Sequence, residues 1–180
     1  MTRQHHVDGW RIEVTVRPGV PRIIAAADAA RVVAAGLRAG GAPAGASIAV
    51  LLADDAELEE LNVAHLGHVG PTDVLSFPLL EADAFPAHPG RIIGGGGAGT
   101  SFVLPPRTRL HLGDIAVSVE RAVAQAAEGR GGQTGDVNGS AADELRLLLT
   151  HGTLHVCGWD HAERVEQAAM RALERQLLGS

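Results

Sequence analysis

The chain has no lysine and no tyrosine, a single cysteine, and only three Phe and two Trp among 180 residues. With Cys157 alone, no internal disulfide can form, which excludes the cross-linked frameworks of small secreted domains. Scarce aromatics leave the core to Leu, Val, Ile and Ala. No apolar run is long enough to cross a bilayer, and the opening MTRQHHVDGW lacks an apolar signal core. The expectation is a cytoplasmic protein with no membrane partner. Net charge is −6 with His neutral, and all 15 basic residues are Arg. An acidic total argues against non-specific coating of nucleic acid. It leaves room for a local basic groove, to which a bound metal ion would add.

The composition is that of an ordinary globular protein: 46% hydrophobic and 20% charged. The length suits one domain over residues 1–180. Residues 10–16 alternate Ile12, Val14 and Val16 with polar neighbours, a half-buried strand. The Ala/Val-rich stretch 22–38 predicts a helix, and the apolar run 47–53 a strand. Asp54, with Glu57 three residues on, opens a short helix over 54–66. VLSFP at 74–78 and LHLGDIAV at 110–117 read as strands. Ser118 is placed to cap the helix that follows, and Ser140, with Asp143, to cap the next. Prolines and the run Gly94–Gly97 predict a flexible loop at about 81–109, and residues 129–139 a second Gly-rich loop. The tail, 161–178, reads as an amphipathic helix with an apolar stripe of Val165, Ala168, Ala169, Ala172 and Leu173. The sum is a single α/β domain: a small, mixed, twisted sheet with packed helices.

Chemistry concentrates in HGTLHVCGWDH, residues 151–161. Histidines four apart on a helix share one face, so His151 and His155 can reach one ion. Beyond a turn at Gly158, His161 can swing back as a third ligand. Three protein ligands and a water are the usual form of a catalytic zinc site, so one Zn²⁺ is expected. The residue after the first His is Gly152, where zinc peptidases of the His-Glu-x-x-His type carry their general base. That counts against a protease, and the missing side chain leaves room for backbone or substrate to approach. Cys157, two residues after His155, lies about 200° around the helix and faces the core.

The block resembles the signature of the YbeY family, the rRNA maturation factors, with Val156 and Trp159 where the family has Leu and Tyr. PTDVLSFP at 71–78 and LGDIAVS at 112–118 are similar to two further family blocks, in the same order. The resemblance spans roughly 47–165. It implies a zincin-like core and a zinc-dependent, single-strand-specific endoribonuclease. The implied partners are single-stranded RNA, as the rRNA precursor, and the ribosome or its proteins, and the implied roles are rRNA maturation and ribosome quality control. It implies His151, His155 and His161 as metal ligands, and Asp114 near the site as a candidate general base alongside His151 and His155. Thr72, Asp73 and Ser76 would form the opposite wall, and Asp160 is either a partner of a ligand His or a cap. The family carries a Tyr-Arg pair just before the PTDVLSFP block; here the Arg position is Leu66. Arg would clamp phosphate in a bidentate way, so substitutes are sought in His65, His68, Arg91, Arg107 and Arg109. Two alternatives stand beside the nuclease: a ribosome-associated, zinc-stabilised factor with weak or no cleavage, favoured by Leu66, and a zinc hydrolase of amide or ester bonds.

Overall fold

The computed structural model describes residues 1–70, 72–89, 108–128 and 139–179. The first strand, β1 (Thr2–Val7), pairs antiparallel with β2 (Trp10–Val16). Asp8 and Gly9 join them, both at positive φ, as a two-residue hairpin turn requires. Helix α1 (Ala26–Ala39) then crosses over to β3 (Ser47–Ala53), which lies parallel to β2. Helix α2 (Asp55–Leu66) follows, with the Asp54 side chain accepting from the Glu57 N–H as expected. Next come β4 (Val74–Pro78), β5 (His111–Ser118), α3 (Val119–Glu128), α4 (Ala141–Val156) and α5 (Arg164–Leu178). The strand order is β1-β2-β3-β5-β4, with β5 parallel to β3 and β4 antiparallel on the edge.

Alternation along the strands divides the sheet into two faces. Ile12, Val14, Ile48, Val50, Ile115 and Val117 belong to the main core, which buries the apolar sides of α1 and α4. Leu75 and Ala116 turn to the other face, where Leu58 of α2 covers them. Small residues let α1 and α4 approach closely. A Cβ on Gly36 would sit 2.9 Å from Thr153, and one on Gly40 would sit 2.5 Å from the Cys157 Cβ. Cys157 is fully buried, and burial pushes its thiol up to about 12, so it behaves as an inert core residue.

Two expectations are refined. Of the stripe expected on α5, Ala169 and Leu173 pack partly buried against the main core, Val165 is 71% exposed, and the fully buried residues are Glu166, Met170 and Glu174. Glu166 accepts from the Glu163 N–H as a capping box, and Glu174 finds a buried histidine, so two carboxylates join the apolar side chains on the buried face. The loop expected at 81–109 includes a 3₁₀ turn, Ala82–Ala84, followed by Phe85 in the main core. Residues 90–107 and 129–138, including Gly94–Gly97, lie outside the described residues.

Candidate metal centre

Helix α4 carries the first two histidines. Ser140 and Asp143 close a reciprocal capping box at its start, and 16 residues run to Val156. Gly158, at φ 79, turns the chain, and the Trp159 N–H returns to the Leu154 carbonyl. His161 thereby comes back over the helix end. Its ring centroid lies 5.4 Å from that of His151 and 5.0 Å from that of His155. One ligand nitrogen from each of the three rings lies within 4.8 Å of the other two.

Hydrogen bonds decide which ring nitrogens point inward. The His151 Nδ1 lies 2.7 Å from Glu174 Oε1, both groups being buried. The His155 Nδ1 lies 2.9 Å from the Trp159 carbonyl oxygen. A carboxylate and a carbonyl accept, so each Nδ1 carries the proton and each Nε2 presents a bare lone pair. Those two Nε2 atoms are 3.1 Å apart. Burial, then the His151 and His161 rings, pushes His155 down to about 4, so His155 itself is neutral near pH 7. Two facing lone pairs at this distance call for a cation. The spacing is close to the edge of a zinc tetrahedron, roughly 3.4 Å for Zn–N bonds near 2.05 Å. The donor set therefore fits a divalent ion. His161, less buried, leaves a side of the site open to solvent.

Gly152 is a packing residue. A Cβ there would meet Ile115 Cγ2 at 2.8 Å and Val74 Cγ2 at 3.0 Å, and Ser76 donates to its carbonyl at 3.1 Å. Of the two occupants expected beside it, chain or substrate, the sheet takes the space. Asp114 shares the face of Phe77 and Ala116, opposite Ile115 and α4, and bonds His111 Nε2 at 2.8 Å. Among the described residues its side-chain bond is to His111, and none joins it to the three rings. The reason is a bulge at Gly113, φ 148, where β5 slips against β3. The exposed carboxylate at the rings is Asp160, which accepts from the His161 N–H at 2.7 Å and whose charge acts on His155.

Thr72 and Asp73 bond within the strand entry; Asp73 accepts from the Val74 N–H and from Gln125 Nε2. Leu66 is 54% exposed, and His65 packs edge-on against Phe77. Arg109 is tied to the Gly9 and Gly45 carbonyls, at the turns that lead into β2 and β3. Arg91 and Arg107 lie outside the described residues. Glu174 is the residue that sequence reasoning missed; the signal was a carboxylate four residues from Met170, on a helix face that must be buried.

A mixed five-stranded sheet with three convergent imidazoles at the end of its longest helix defines an α/β protein with a candidate metal centre. Residues 22–180 match the family model described as Endoribonuclease YbeY. A protein named Endoribonuclease YbeY from Roseiflexus castenholzii is 37% identical over 170 residues, 94% of this chain and 91% of that one. Another of that name, from Salinispora tropica, is 39% identical over 135 residues, 75% of this chain and 74% of that one. The solution structure of TM1509 from Thermotoga maritima is similar in fold, with a TM-score of 0.50 and 21% identity, covering 94% of this chain and 89% of that one. The chain belongs to the YbeY family.

Proposed function

We propose that the protein is a zinc-dependent endoribonuclease. It holds one ion on His151, His155 and His161, cuts single-stranded RNA of the rRNA precursor, and serves rRNA maturation and ribosome quality control in the cytoplasm at the ribosome. The names of its relatives support the nuclease reading. One observation carries the metal: two Nε2 lone pairs 3.1 Å apart, with both Nδ1 atoms committed as donors. A divalent ion there supplies a Lewis acid and an activated water. Glu174 fixes the tautomer and orientation of His151, and the Trp159 carbonyl does so for His155. Asp160, in place of Asp114, is positioned to accept a proton at the solvent-open side.

Hydrolysis of amide or ester bonds is disfavoured. Position 152 has no room for the carboxylate base of a peptidase helix, because Ile115 and Val74 fill it. The second reading is a ribosome-associated factor with weak cleavage. Leu66 favours it, an exposed apolar side chain where the resemblance calls for Arg. Cleavage of a labelled single-stranded oligoribonucleotide separates the two. The nuclease reading expects cleavage by the native chain and none by His155→Ala. Cleavage that appears only in Leu66→Arg establishes the factor reading.

A further inference from the structure

A cleft lies away from the histidines. It opens at the carboxyl ends of the parallel strands β2 and β3 and at the start of α1, with a volume of about 500 Å³. Arg3, Arg22 and Arg146 line it. Arg146 is paired with Asp143 at 2.8 Å, and the one acidic side chain in the lining, Asp28, is paired with Arg31. Arg3 and Arg22 have no carboxylate partner among the described residues, so the cleft carries uncompensated positive charge in a protein of net −6. Its floor is apolar, built from Ile23, Ile24, Leu52 and Leu145. Helix α1 begins beside it at Ala25, which provides no side-chain cap, so the first-turn N–H groups add partial positive charge.

Planar cations over an apolar floor suit a phosphate joined to a flat ring. We propose that this cleft binds a nucleotide unit of the RNA chain, with its phosphate on Arg3 and Arg22 and its base against Ile23, Ile24 and Leu52. The proposal rests on the RNA reading above and adds a second point of contact. Arg146 precedes His151 by five residues of α4, about 7.5 Å along the helix axis and about 140° around it, so the cleft and the metal centre lie on different sides of α4. The cleft supplies the phosphate affinity that Leu66 does not.

The test uses the full chain and two probes: a labelled single-stranded oligoribonucleotide, and adenosine 5′-monophosphate followed by methyl NMR of Ile23, Ile24 and Leu52. Arg3→Ala combined with Arg22→Ala should weaken oligonucleotide binding at least about tenfold, since each charge-assisted contact is worth about that factor. It should also flatten the slope of log affinity against log salt by about two. KM for the oligonucleotide should rise with kcat unchanged, and the melting temperature should hold, because both side chains are exposed. The methyl signals should move with oligonucleotide at lower concentration than with the free mononucleotide. Unchanged affinity and salt slope in the double variant, with the native chain still cleaving, overturns the cleft and leaves the nuclease standing. Tighter binding of the free mononucleotide overturns the RNA assignment. A native chain that neither binds nor cuts RNA overturns both.

Discussion

Glu144 and His151 stand seven residues apart on α4, on the same face, and both are buried, yet their surroundings differ. His151 meets Glu174 at 2.7 Å, so its tautomer and ring angle are fixed before any ligand arrives. Glu144 has no partner for Oε1; burial first, then the charge of Asp73, pushes its carboxyl up to about 7. A buried polar group that is paired becomes a precise ligand; one left unpaired responds by giving up its charge. One helix holds both outcomes because α5 supplies a carboxylate opposite His151, while the β4 entry sets a like charge, Asp73, against Glu144.

The largest effect should come from breaking the paired end. Glu174→Gln keeps the size but loses the carboxylate that orients His151. Metal affinity should fall about 10- to 100-fold, as read by competition with a chelating dye. Next is the helix–sheet contact beside His151. Gly152→Ala forces a Cβ to 2.8 Å from Ile115, and should cost about 1–3 kcal/mol in denaturant unfolding. The smallest effect belongs to the unpaired end. A carboxyl whose folded pKa is raised stays protonated while the unfolded chain ionises, so stability is full below the ordinary carboxylate range. It is lost as pH climbs from there to about 7 and changes little beyond. Glu144→Gln should remove that loss. Its melting temperature should exceed that of the native chain by a few degrees at pH 8, at about 2–4 °C per kcal/mol for this size. The gain should shrink as pH falls and vanish below the ordinary carboxylate range, at about pH 3.5.

Local signals made much of this legible. Alternation placed β2, the capping residues Asp54 and Ser140 opened α2 and α4, and the four- and six-residue spacings brought His151, His155 and His161 together. What escaped depended on contacts distant in sequence. β1 is an edge strand of mostly exposed polar residues, THR-to-VAL positions 2–7, with no apolar alternation to reveal it, although Asp8-Gly9 was a usable turn signal. Glu174 reads as a surface charge until α5 is docked on α4. Asp114 sits within a block like that of the family, but the slip at Gly113 sets which face it takes, and strand pairing, not local sequence, decides that slip.

The central claim is that three imidazoles share one divalent ion. Metal content per chain, measured by mass spectrometry on native protein and on His151→Ala after dialysis against trace zinc, tests it most directly. The account predicts one ion per native chain and almost none in the variant, with the native fold retained in both. A native chain that binds no ion, or a variant that keeps a full equivalent, would contradict it.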